Sequence, residues 1–140
     1  MGSSRGKALM LATSGLAAER NFSSFPSVPV GDGGFAMLMA EMSTAVQHQL
    51  PVKIIVLKNN SLSEVRFEQK ELGYPNYGCD LAPIDFAAFA KACGADGFRC
   101  ANPGEVRPAI EAALRSPRAA LVEALVDPDE APLKPEELKA

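Results

Sequence analysis

Apolar positions fall into two kinds of run. Over residues 35–50, Met37, Leu38, Ala40, Met42, Ala45, Val46 and Leu50 surround most of a helix, as expected for one packed on two sides, and Pro51 ends it. Residues 52–57 are almost continuously apolar and rich in β-branched side chains, which predicts a central parallel strand covered on both faces. Residues 62–72 read as a helix with Glu64, Glu68 and Leu72 on one side, followed by a Gly/Pro/Tyr-rich loop over residues 73–78. Asp85 is a good N-cap for a helix over residues 86–93 that Gly94 ends. A short strand is predicted over residues 98–101 and a second buried strand over residues 120–126. Between them, residues 103–115 form a helix whose Glu105 and Arg115 match the macrodipole, with Pro108 confined to its first turn. Pro128, Pro132 and Pro135 make residues 127–140 an extended tail ending in a brief helical turn.

The first 30 residues are less regular. Residues 8–18 suit a short helix or strand, whereas residues 21–29 read as a loop leading into Val30, with Pro26 and Pro29 blocking a central strand. Strands alternating with helices on short connections predict one α/β domain with a mainly parallel sheet.

Composition narrows the class. A chain of 140 residues can bury one core of its own. With 47% apolar residues, 22% charged residues and a net charge of −3, it has neither the signature of disorder nor the basic stripe of a nucleic-acid binder. The short apolar run at residues 8–12 is cut by Thr13, Ser14 and Gly15, below the length of a signal core, and Gly6 stands where a myristoylation site needs Ser or Thr. No apolar stretch approaches the length of a membrane span. Cys79, Cys93 and Cys100 form no C-x-x-C and read as buried structural thiols in a reducing compartment, the cytoplasm. His48, the single histidine, suits a surface or capping position near a helix end, and one histidine builds no histidine-rich metal site.

Candidate chemistry gathers at two points. Gly31-Asp32-Gly33-Gly34-Phe35 opens the first helical pattern, and Asn59-Asn60 follows the apolar strand, with 25 residues between Gly33 and Asn59. A glycine turn at a helix start supplies backbone N–H groups for an anion, while Asp32 and Asn59 offer the hard oxygens that magnesium prefers. The carboxyl edge of a parallel sheet is also where ligands collect. The same residues satisfy the loose dinucleotide fingerprint G-x-G-x-x-A, but prolines precede it and no acidic residue follows at the required distance. Taken singly, a glycine cluster and an Asn-Asn pair are each equally a simple turn.

As a pair, G-D-G and N-N with about 25 to 30 residues between them, bracketing Leu50-Pro51-Val52-Lys53-Ile54-Ile55-Val56, resemble the carboxyl-terminal cofactor domain of thiamine-diphosphate-dependent enzymes. Within that superfamily the chain is most similar to pyruvate oxidase and the quinone-linked pyruvate dehydrogenase, with acetolactate synthase a close relative. The resemblance covers roughly residues 31–135, through Asp85-Phe86-Ala87, Gly94-Ala95 and Val126-Asp127-Pro128.

The resemblance implies the thiamine-diphosphate-binding fold, a three-layer sandwich around a mainly parallel sheet, truncated in its N-terminal part. It implies that Asp32 and Asn59 bind magnesium with an oxygen of Ser61, and that Gly31, Gly33 and Gly34 take part in holding the diphosphate. Glu68 matches an active-site glutamate on the substrate side, while Glu64 and Ser63 replace an aromatic residue and a glycine. The implied cofactors are thiamine diphosphate and Mg2+, with FAD confined to full-length relatives. The implied chemistry is decarboxylation of a 2-oxo acid such as pyruvate, carried out with a complementing domain or a second copy in a homo-oligomer. The family places a glycine-rich helix and a buried strand before G-D-G, for which residues 19–30 are too short and too proline-containing. Residues 1–30 are therefore expected to be an irregular remnant and residues 31–140 the binding unit. The competing expectation is a non-catalytic α/β module that keeps the fold without the cofactor, and a missing strand before Gly31 would favour it.

Overall fold

The computed structural model describes residues 27–130. Four strands, β1 (Ser27–Gly31), β2 (Lys53–Lys58), β3 (Asp96–Cys100) and β4 (Ala120–Leu125), form one sheet in the order β1-β2-β4-β3, and every pair is parallel. Five helices connect them: α1 (Asp32–Leu38), α2 (Glu41–Gln47), α3 (Ser63–Glu71), α4 (Phe86–Ala92) and α5 (Pro103–Arg115). Alternation along the strands divides the core into two layers. Ile54 and Val56 of β2 and Leu121 of β4 pack with Val30, Phe35, Met42, Phe86 and Ala90 on one face. Val122, Ala120 and Ala124 pack with Cys100, Ala113 and the flanking Phe98 and Ile110 under α5 on the other. Helices on both faces of a parallel sheet make the expected three-layer α/β arrangement.

The predicted strand over residues 52–57 is β2, an interior strand, although its second face is only partly covered, with Leu57 exposed. The helix predicted over residues 103–115 is α5 with the same limits, but Pro108, expected in the first turn, is its sixth residue and lies inside it. Asp85 caps α4 by accepting the Ala88 N–H at 2.7 Å. Gly94, at φ +91°, closes it: its own N–H reaches Lys91 O, and the Ala95 N–H reaches Ala90 O.

Two further expectations are corrected. Residues 27–30 are not loop, since β1 runs through them into Gly31 and pairs with β2 in register, Pro29 opposite Ile55 and Gly31 opposite Leu57. Proline is admitted because β1 is an edge strand of the described sheet, where a backbone position facing away from β2 needs no N–H donor. The single helix expected over residues 35–50 is two helices. Met39 and Ala40 keep right-handed helical dihedrals, yet the bonds there are the tighter i→i−3 kind, Met42 N–H to Met39 O and Ser43 N–H to Ala40 O. The expectations for residues 1–26 and for the tail beyond residue 130 lie outside the described residues.

Candidate functional site: the carboxyl ends of β1 and β2

Gly31 ends β1 and Asp32 begins α1, so the Asp32 side chain leaves the chain at the carboxyl edge of the sheet. β2 lies alongside and delivers residues 59–61 to the same edge. The two segments touch. Asp32 is buried, and its Oδ2 accepts the backbone N–H of Asn60 at 2.6 Å while Oδ1 accepts the N–H of Gly33 at 3.1 Å. A buried carboxylate held by N–H donors keeps unused lone pairs on both oxygens.

Asn60 turns the chain back with φ +56°, a left-handed conformation that asparagine tolerates better than most residues. Asn59 organises the turn through both ends of its amide. Its Oδ1 accepts the Ser61 N–H at 3.0 Å, and its Nδ2 donates to Ser63 Oγ at 2.7 Å, across the start of α3. Ser61 is itself buried and bridges to Asp80, while the Leu62 N–H reaches Cys79 O and the Leu81 N–H reaches Asn60 O. Two buried side-chain oxygens in this turn, Asn60 Oδ1 and Ser61 Oγ, have no hydrogen-bond partner among the described residues. Buried polar atoms are nearly always paired, so these two are exceptions within the turn that meets Asp32.

Every donor atom here is oxygen, which suits a hard divalent cation. Among the described residues no group of three or more His, Cys, Asp or Glu side chains converges, and the oxygens grouped with Asp32 at this edge belong to amide, hydroxyl and backbone groups. Gly33 is closely covered, a Cβ there standing 2.6 Å from Leu62 Cδ2 and 3.2 Å from Leu81 Cδ1.

The structure thus brings Asp32, Gly33, Asn59 and Ser61 to one edge. Glu68 and Glu64 lie on α3, a helix with no fully buried residue, which is tied down by Arg66 to Asp129 and by Gln69 to the backbone of Tyr77. His48 is exposed at the end of α2. Cys79 and Cys100 are buried, Cys93 is half-buried, and all three are free thiols.

Beside the site lies a charge cluster that the hydrophobic pattern concealed. Lys58, the last residue of β2, and Glu123, in the middle of β4, are both buried, with Nζ and Oε1 3.0 Å apart. Glu123 interrupts an otherwise apolar strand and Lys58 closes the apolar run of β2, and those positions were the available signal. At the opposite sheet edge, the buried Lys53 donates to the carbonyls of Ser116 and Arg118, and desolvation holds its pKa below the usual lysine value against the raising effect of Asp96.

Comparison with known proteins places the chain. Residues 7–124 match the family described as thiamine pyrophosphate enzyme, C-terminal TPP binding domain. The protein belongs to that family and is a thiamine-pyrophosphate-binding domain. It is 38% identical over 96 residues to YdaP of Bacillus subtilis (strain 168), whose name describes it as thiamine pyrophosphate-containing, covering 69% of this chain and 17% of that protein. It is 30% identical over 103 residues to the catabolic acetolactate synthase of Raoultella terrigena, covering 74% and 18%. Among solved structures, the Rhodococcus jostii RHA1 thiamine diphosphate-dependent 4-hydroxybenzoylformate decarboxylase superposes with a TM-score of 0.69 at 28% identity, over 75% of this chain and 20% of that one. The chain spans less than a fifth of the length of these two curated relatives.

Proposed function

We propose that this chain anchors the diphosphate end of thiamine diphosphate through a magnesium ion, as the cofactor-binding part of an enzyme that decarboxylates a 2-oxo acid, of the pyruvate oxidase and pyruvate dehydrogenase kind. The observation that carries the reading is the buried Asp32 carboxylate facing a turn with two unpartnered buried oxygens. Asp32, the Asn59 amide oxygen and an oxygen of Ser61 would hold the cation. Asn60 Oδ1 is a further candidate, because Asn59 Oδ1 already accepts the Ser61 N–H. Gly31, with open space beside it, and Gly33 and Gly34 in the first turn of α1 are the residues against which the diphosphate would rest. The bound cofactor would supply the electron sink for loss of carbon dioxide. This chain's residues supply position: a fixed carboxylate, oriented amides and a helix start.

The strand β1 favours this reading over a module that has lost its cofactor, since the Gly31 turn hangs from a paired strand and is thereby held rigid. Residues 31–140 constitute the binding unit, carried on that strand. Glu68 on α3 is assigned to the substrate side, where a complementing domain or a second copy would close over it. Exposed Met37, Leu72, Tyr74 and Tyr77 support such a partner. The proposed setting is the cytoplasm: among the described residues no helix is long and apolar enough to cross a membrane.

Calorimetric titration of the chain with thiamine diphosphate and magnesium tests the reading. Saturable heat with a thermal shift supports it. Neither heat nor shift at millimolar cofactor overturns it in favour of the non-binding module. The chain alone is expected to release no carbon dioxide from pyruvate.

A further inference from the structure

Two buried charges in a sheet are poor stabilisers, because removing them from water offsets most of their attraction. The pair of Lys58 and Glu123 is nevertheless well tied. Glu123 Oε1 receives Lys58 Nζ at 3.0 Å, with Arg99 Nε at 3.9 Å, and Oε2 accepts the Ala87 N–H at 3.0 Å in the first turn of α4. Lys58 also donates to Ile84 O just before α4, and its Nζ lies 5.8 Å from the centre of the Phe86 ring. The Lys58 carbonyl accepts the Val126 N–H at 2.9 Å, so backbone and side chain are fixed together.

Both halves of the candidate site lead to this one place. Asp32 sits on α1, and Phe35 of that helix packs edge-on against Phe86, ring centres 5.3 Å apart at 74°. Residues 59–61 follow Lys58 directly, and the Asn60 N–H that meets Asp32 is two residues beyond it. The first turn of α4 is therefore a common block against which α1 and the end of β2 are both set.

We propose that the ion pair of Lys58 with Glu123 is a positioning pair, which holds the turn at residues 59–61 in register with Asp32 and so sets the affinity of the edge for a divalent cation and diphosphate. The affinity part rests on the function proposed above, whereas the positioning part stands on the protein alone. Neither side chain touches the ligand; they act through the backbone between Lys58 and Asn60.

The test uses the full chain as K58M/E123Q, in which both charges are removed and the glutamine amide oxygen that replaces the Glu123 carboxylate can still accept the Ala87 N–H. Amide hydrogen exchange is followed by NMR without ligand, and denaturant unfolding is measured alongside. The expected result is cooperative unfolding with a midpoint near wild type, but exchange at Asn60 at least ~10-fold faster relative to amides inside β2. A purely structural pair would move the midpoint and leave that ratio unchanged. E123Q alone, in which Lys58 still donates to Ile84 O and no unpaired carboxylate is left buried, is the second arm should the double variant fold poorly, and is expected to raise the same Asn60 ratio. Titration with magnesium and thiamine diphosphate then reads a loss of affinity of roughly 10-fold or more, the range of outer-shell partners. An unchanged Asn60 ratio overturns the positioning pair whether or not the cofactor binds. Absence of binding in the wild-type chain overturns the function proposed above and leaves the exchange result to decide this inference.

Discussion

The carboxylate of Asp32 accepts the backbone N–H of Asn60 at 2.6 Å, so the first residue of α1, just past β1, and a turn at the end of β2 are held as one unit before any ligand arrives. Preorganisation of this kind removes ordering cost from binding.

Replacing that carboxylate separates two of its effects. Asp32→Ala leaves the Asn60 N–H without its acceptor, which costs about 1–3 kcal/mol of stability. It also removes the buried charge on which the cation would rest, so affinity for magnesium and thiamine diphosphate falls by more than the roughly 10–100-fold carried by outer-shell partners. Denaturant unfolding and calorimetric titration read the two separately. Full retention of affinity would sink the assignment of Asp32 as the metal ligand.

Most of the fold was legible because each element announces itself locally. Asp85 and Gly94 bracket α4, Pro103 and Arg115 bracket α5, and the run from Val52 gives β2. The misses have physical causes. Pro29 reads as a breaker only when the strand's place in the sheet is unknown, and an edge strand accepts it. The break between α1 and α2 carries no glycine or proline, and Met39 and Ala40 stay helical in φ and ψ, so nothing in the pattern marks it. Spacing and resemblance singled out Asp32 and Asn59 as a pair, and the structure brings both to the same edge. The buried pair of Lys58 and Glu123 was hidden because periodicity records which residues are apolar, not which polar residues find partners across the sheet.

Gly97 of β3 marks the closest approach of strand and helix. A Cβ there would stand 2.1 Å from Ala87 O, a backbone atom of α4 that cannot step aside alone. Gly97→Ala is expected to destabilise by about 1–3 kcal/mol or more through overpacking. Gly104, in the first turn of α5 with nothing within 4 Å, is the internal control. Gly104→Ala should be neutral or stabilise by up to ~1 kcal/mol, from lower chain entropy in the unfolded state and better helix propensity. Urea unfolding of the two variants reads the contrast, and equal effects would refute the close approach.

The thiols should react in a fixed order. Burial, and secondarily the negative charge of Glu105, push the Cys100 thiol above its ordinary pKa, so little thiolate is present at neutral pH. Cys93 is only half-buried, whereas Cys79 and Cys100 are closed off. An aromatic disulfide reagent should therefore modify Cys93 first under native conditions, and the other two only as fast as the protein opens. Labelling followed by peptide mass spectrometry identifies the order; early modification of Cys100 would contradict it.

Acid should loosen the start of α5. Glu105 accepts from the Asn102 side chain and from the N–H groups of Ala101 and Asn102, at 3.1, 2.7 and 3.2 Å, and these bonds hold its carboxyl below the ordinary carboxylate range. A carboxyl whose pKa is lower folded than unfolded stabilises the protein above the unfolded value, about 4.3, and that contribution is lost as pH falls through the folded value. Stability should therefore decline on acidification through that window, and Glu105→Gln should flatten this part of the profile while lowering stability at neutral pH. Lys53 adds an alkaline limb of the same sign: its pKa is lowered mainly by burial, so the unfolded chain binds the extra proton between the folded value and about 10.4, and stability rises with pH there too. Unfolding midpoints measured across both windows, with Glu105→Gln as the comparison, check the sign in each. An acid limb unchanged by Glu105→Gln would show that the bonds at the start of α5 do not supply it.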